Sequence, residues 1–200
     1  MTDITKIELS TLELELMNNS EWILTKHRVI EKISLLFSSQ ITGIDQKFAV
    51  SGVLFEELLA TSPKISKGER YQNLPYVILD YPALFSKEAI FALRTMFLWG
   101  NFISVTLHLS GKYKNALQQK IINKIDFEID NQYLGIGENQ WQQHFSEESY
   151  VPINATDKSI LNEYISKQSF LKIALRFKLD EVTEMDKNIK QACQYLAGLL

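Results

Sequence analysis

The chain has 200 residues, 46% of them apolar and 22% charged, with a formal net charge of −3. That length suits one domain burying roughly 70% of the surface its unfolded form exposes, and the apolar share excludes a disordered segment. Interspersed charges exclude the concentrated basic stripe of a nucleic-acid binder. The single cysteine excludes an internal disulfide and a cysteine-based structural zinc site. The longest near-apolar run, Ala89–Val105, is interrupted by Arg94 and Asn101 and falls short of the roughly 20 residues of a membrane span. The opening MTDITKIELS lacks a basic stretch followed by an apolar one, so no signal peptide and a reducing, cytoplasmic location are expected.

In chain order, Leu9, Leu12 and Leu16 predict a short helix ending near Asn18-Asn19. Ser20 is placed as the cap of the next helix, with Glu21 favourable in its first turn. Trp22, Ile23, Lys26, Ile30, Ile33 and Phe37 recur at helical spacing. Ser38–Gly43 reads as a break. A third helix then runs from about Asp45 to Thr61, with Phe48, Leu54, Phe55, Leu58 and Leu59 inward. Gly52 weakens it by about 1 kcal/mol relative to alanine, and Pro63 ends it because the residue before a proline avoids the helical region. Ser62–Asn73 is a polar loop carrying Lys64, Lys67 and Arg70.

Leu74–Tyr81 predicts a strand closed by Pro82, and Ser86 caps one helical turn at Lys87–Ile90. Residues 91–110 follow with the clearest pattern, FALRTMFLW and FISVTLHLS alternating on either side of Gly100-Asn101, a β-hairpin with a two-residue turn. This register sets Trp99 opposite Phe102, Phe97 opposite Ser104, Thr95 opposite Thr106 and Leu93 opposite His108. The other face pairs Leu98 with Ile103, Met96 with Val105, Arg94 with Leu107 and Ala92 with Leu109. Lys114–Ile125 is an amphipathic helix. Gln132–Phe145 is a strand with a bulge or close backbone contact at Gly135 and Gly137, and Tyr150–Asn154 is a short extended piece. After a helix at Ser159–Lys167, Leu171, Ile173, Leu175, Phe177 and Leu179 alternate with Lys172, Arg176 and Lys178, as in a half-solvated strand. Val182, Met185, Ile189, Ala192, Cys193 and Leu196 describe a closing helix. The sum is a single α+β domain over residues 1–200, helical over about 1–61 and sheet-bearing over about 74–200. Its mainly antiparallel sheet has about five strands, with the carboxy-terminal helix packed on it.

No G-x-S-x-G, Walker loop, G-x-G-x-x-G or H-E-x-x-H occurs, and Gly135-Ile136-Gly137 lacks the third glycine and the helix of a nucleotide loop. His27, His108 and His144 stand at no ligand spacing, so neither metal nor cofactor is expected. His108 is the candidate general base, because an imidazole with an ordinary pKa near 6.5 suits proton transfer at neutral pH. Thr95, Ser104 and Thr106 share its face. Phe91, Phe97, Trp99 and Phe102 on that face require a cover, either a helix, a partner or a ligand. Arg94, alone among apolar neighbours, needs a carboxylate such as Asp80 or Glu88, or else it clamps the carboxylate or phosphate of a ligand. Lys64, Lys67 and Arg70 are able to gather an anion, and Glu138, Trp141 and His144 to line a pocket mouth.

The expected function is a non-enzymatic binding or protein-interaction domain using the aromatic face of the hairpin. Its ligand-binding residues are Trp99, Phe97, Phe102, Thr95, Thr106, His108 and Arg94. A protein partner, a second copy of the chain or a small molecule fits this surface; nucleic acid and membrane do not. The alternative is a small-molecule enzyme with His108 as base and Arg94 or the 64–70 segment holding an anion. In the two-residue register His108 and Arg94 lie on opposite faces, and a shared site requires a three-residue turn.

Overall fold

The structure, a computed structural model, describes residues 7–51 and 56–200. Ser10 opens the first helix, α1 (Thr11–Met17), with a capping box: its hydroxyl accepts from the Glu13 amide while the Glu13 carboxylate accepts from the Ser10 amide. Asn19, rather than Ser20, caps α2 (Ser20–Ser51), its Oδ1 accepting from the Trp22 amide at 3.1 Å.

α2 runs unbroken through the segment expected to interrupt it. The serines there do not compete with the helix, because Ser34, Ser38 and Ser39 each donate to a carbonyl one turn back. Ile33, Phe37, Gln40 and Ile44 meanwhile form a buried stripe at helical spacing. Gln40 and Lys47 donate across to Asp186 and Gln194 of the last helix. Packing along this stripe thus outweighs the local polarity. Gly52, Leu54 and Phe55 lie outside the described residues; α3 (Glu56–Leu59) follows them.

The described residues form a seven-stranded antiparallel sheet instead of the expected five. β1 (Lys64–Tyr71) occupies the stretch expected to be a polar loop. It is an edge strand, where charged residues are tolerated because only one side of the backbone must pair. Gln72 and Asn73, both with positive φ, turn it into β2 (Leu74–Phe85) as a two-residue hairpin. Pro82, which cannot donate to the ladder, falls in the irregularity between Asp80 and Ala83. No helical turn precedes β3 (Ile90–Leu98): the Ser86 hydroxyl accepts from the Glu88 and Ala89 amides in a tight bend. β4 (Phe102–Ser110) leads into α4 (Gly111–Lys124). β5 (Gln132–Gly135) is far shorter than the strand expected over 132–145, and β6 (Tyr150–Pro152) pairs with it. α5 (Lys158–Lys167), β7 (Phe170–Phe177), a 3₁₀ segment (Leu179–Glu184) and α6 (Met185–Leu199) complete the chain.

The strand order is β1-β2-β3-β4-β7-β5-β6, which puts β7 in the interior with neighbours on both sides. One face of the sheet, including Leu79, Leu93, Val105, Leu107 and Ile173, forms the main core with α2, α4, α5 and α6. The opposite face is roofed by the irregular segment 136–149 that joins β5 to β6. Lys172, expected on a solvated strand face, is consequently 1% exposed. Among the described residues no helix is long and apolar enough to cross a membrane.

Candidate functional site

The hairpin reverses through Trp99-Gly100-Asn101, with the Asn101 amide donating to the Leu98 carbonyl at 3.0 Å and Gly100 at φ +69°. A positive φ at the third position of such a turn suits glycine, which has no Cβ to clash. The turn is one residue longer than expected, so every cross-strand pair shifts by one: Leu98 meets Phe102, Met96 meets Ser104, Arg94 meets Thr106 and Ala92 meets His108. A one-residue slip exchanges partners between faces. Arg94, Phe102, Thr106 and His108 now share the loop-covered face. Thr95 and Phe97 point to the helices, where both are buried, and Trp99 sits in the turn with its ring 6.1 Å from that of Phe97.

Neighbouring strands extend the polar rows. Asp80 lies beside Arg94 and Lys64 beside Asp80, while Lys172 lies beside His108 and Arg176 beside Ser104. Arg94 donates from Nε to Asp80 Oδ1 at 2.7 Å and from Nη2 to Oδ2 at 2.9 Å, a two-pronged pair that leaves further guanidinium N–H groups free of this carboxylate. Its Cζ also stands 5.7 Å from the centre of the Phe85 ring. Above the pair opens a cleft of about 280 Å³, bordered by Lys64, Ser66, Asp80, Phe85, Arg94 and Trp141.

The roof is held at several points. The Tyr71 hydroxyl accepts from the Gln143 and His144 amides at 2.6 and 3.0 Å and contacts His144 Nδ1 at 3.0 Å. Phe145 stacks on Tyr150 at 4.5 Å and meets Phe102 and Tyr133 edge-on. The tip, residues 138–142, is held mainly by hydrogen bonds, among them one from Ser149 Oγ to Gln142 Oε1 at 3.3 Å. Lys172 Nζ donates to the Gln140 carbonyl at 3.2 Å and to the Gln142 carbonyl, and the Gln140 side chain reaches His108 Nε2 at 3.1 Å. Trp141, nearly half exposed, spans from Phe85 to His108 with ring centres 6.0 and 5.8 Å away. Gly135 lets β5 close on Lys172: a Cβ there would lie 3.0 Å from that of Lys172. The close backbone neighbours expected of these glycines stand at Gly137, where a Cβ would lie 3.3 Å from the Glu148 carbonyl oxygen and from the Ser149 Cα.

Beneath the roof, burial works against the charged forms of the titrating groups. Burial pushes the Lys172 ammonium down to about 7, and the Arg94 charge adds to the shift. Burial likewise pushes His108 down to about 3, with the Lys172 and Arg94 charges contributing and the Gln140 bond opposing. His108 is therefore a neutral hydrogen-bonding group at pH 7 and a weak base. Burial also raises the pKa of the Tyr150 phenol. Its hydroxyl has no hydrogen-bond partner.

The structure brings Arg94, Thr106, His108 and Phe102 together and sets Thr95, Phe97 and Trp99 apart from them. Lys64 and Trp141, each singled out in a separate stretch of sequence, meet at the cleft. Lys172 was recognisable only as one outward cation on an alternating strand, and Tyr150 only as the start of a short extended piece. Among the described residues no three His, Cys, Asp or Glu side chains gather as a metal would require. Set against protein-family models, curated proteins and solved structures, the chain matches none.

Proposed function

We propose that the protein is a non-enzymatic binding domain for a small anionic ligand, held in the cleft above Arg94 and Asp80. The supporting observation is that two cations, Arg94 and Lys64, face a single carboxylate in a hollow walled by Phe85 and Trp141. Concave sites with aromatic walls and a few convergent charges are the usual form of small-molecule pockets. The hairpin rings do not form an open binding surface, since Phe91, Phe97 and Phe102 are all buried. His108 neither borders the cleft nor holds a proton readily, so general-base catalysis finds little support. Calorimetric titration of the full chain with inorganic phosphate and with acetate tests this proposal. Saturable binding of at least one is expected, weakened about tenfold by Lys64→Met, an exposed position whose loss leaves the Arg94–Asp80 pair intact. Absence of saturable binding, or indifference to Lys64→Met, overturns it.

A second binding surface is favoured by the amino-terminal helices. α1 buries none of its residues, and Leu12, Leu14, Met17, Trp22 and Leu24 are all at least 44% exposed. Apolar surface of that density marks a protein contact. Light scattering is expected to give more than one chain per particle, reverting to one chain on substituting Leu12, Met17 and Trp22 with serine. A wild-type monomer would remove self-association from this proposal.

A further inference from the structure

Lys172 is the most deeply buried cation among the described residues, and its partners are main-chain carbonyls of the roof tip. Among the described residues it forms no ion pair; the one carboxylate of this face, Asp80, is already engaged by Arg94. Carbonyl dipoles satisfy the N–H groups of an ammonium without neutralising its charge. Next to it, with the ammonium 5.0 Å from the ring centre, stands Tyr150, 4% exposed and with an orphaned hydroxyl. Buried hydroxyls without a partner are rare in folded proteins and require an explanation. An ammonium lacking a counter-ion thus faces the ring of a phenol whose hydroxyl lacks a partner, and an added anion would supply an acceptor for both.

The route to them is also visible. Arg94 is in register with Thr106 and Ala174, so the Lys172 backbone stands two strands across and two residues along from it, roughly 12 Å at the usual strand spacing and rise. Trp141 lies across that interval as the partition between the open cleft and the enclosed groups. Its own segment is held by hydrogen bonds with Lys172, His108 and Ser149, whereas the Phe145 end of the roof is locked among three rings.

We propose that residues 138–142 form a lid, and that beneath it Lys172, Tyr150 and the free N–H groups of Arg94 make an inner subsite for the phosphate of a phosphomonoester whose remainder occupies the cleft. This rests on the anion-binding proposal above. A phosphate dianion suits the place better than a carboxylate: with Arg94 and Asp80 cancelling, Lys64, Arg176 and a protonated Lys172 leave the face positive. Tetrahedrally arranged oxygens also accept from an ammonium, a phenol and a guanidinium at once. On binding, phosphate oxygens replace the Gln140 and Gln142 carbonyls as acceptors for Lys172, which frees the tip.

Titrating the full chain with inorganic phosphate, sulfate and succinate, while following amide hydrogen exchange of residues 138–142, tests the subsite. Phosphate and sulfate are expected to bind more tightly than succinate and to speed exchange at the tip. Lys172→Met is expected to weaken phosphate about tenfold and Tyr150→Phe several-fold. Tyr150→Phe removes only the orphaned hydroxyl and carries the test alone should Lys172→Met fail to fold. Phosphate binding that is sensitive to Lys64→Met but indifferent to Tyr150→Phe overturns the inner subsite and leaves the cleft standing. Preference for succinate overturns the phosphate assignment. No binding of any of the three overturns cleft and subsite together.

Discussion

Lys172 and His108 make stability depend on pH in a direction that follows from their surroundings. In an unfolded chain the imidazole titrates at its ordinary 6.5, against about 3 in the fold. Between those values the unfolded chain binds the extra proton. The His108 contribution is fully present above pH 6.5 and is lost as pH falls towards 3, at up to about 1.4 kcal/mol per unit. The same reasoning for Lys172, 10.5 unfolded and about 7 folded, gives a contribution complete above pH 10.5 and lost as pH falls to 7. The groups facing it are Arg94, His108 and Tyr150, none of which supplies a negative charge at neutral pH. Urea unfolding between pH 7 and pH 9.5 should therefore show wild type gaining stability relative to Lys172→Met, and parallel curves would contradict the burial of a titrating amine. Arg94 is a different case. Removing one member of a buried pair strands the other at a cost of about 3–5 kcal/mol, so binding tests belong on Lys64. Its partner Asp80 was one of two carboxylates the sequence offered, with Glu88, and the β2–β3 register decides between them. The burial of Lys172 was not readable, because alternation reports which way a side chain points and not whether a loop returns to cover it.

At the level of elements, the turn at Gly100 decides the site. A Cβ at Gly100 would meet nothing within 4 Å, so only its φ of +69° resists substitution. Gly100→Ala is expected to cost about 1 kcal/mol, and Gly100→Asn less, because asparagine enters the left-handed region more easily; thermal unfolding measures both. A loss of several kcal/mol for alanine would mean the register itself depends on this residue. The hairpin was legible from its alternation, but the turn length was not: Gly-Asn serves a two-residue loop and the end of a three-residue loop equally well. One residue then exchanged the faces of Arg94 and Thr95. α2 was misjudged for the opposite reason, since the serines of 34–39 are helix-neutral once they bond back to the preceding turn. β1 escaped notice because an edge strand needs little apolar content: Ile65 packs against the main core and Tyr71 against the cluster of Met96, Leu98 and Phe102.

For the whole molecule, α+β class and antiparallel pairing followed from changes of period along the chain, from 3.6 in the helices to 2 in the strands. Strand order did not follow, because it depends on contacts between distant segments that leave no local trace. The layering of helices, sheet and a single irregular roof was likewise hidden: most of segment 136–149 falls within the strand expected over 132–145, which ends at Gly135. Yet the roof's place over the sheet decides which charges are dry. The order β1-β2-β3-β4-β7-β5-β6 also bears on synthesis. β1 through β4 are consecutive in both chain and sheet and can pair as they emerge from the ribosome, but β5 and β6 join the sheet only through a strand translated after them. Until Phe170–Phe177 has been made, the growing chain presents an unzipped β4 border and a detached two-strand flap, and that interval is when it is most open to capture by chaperones or by neighbouring nascent chains.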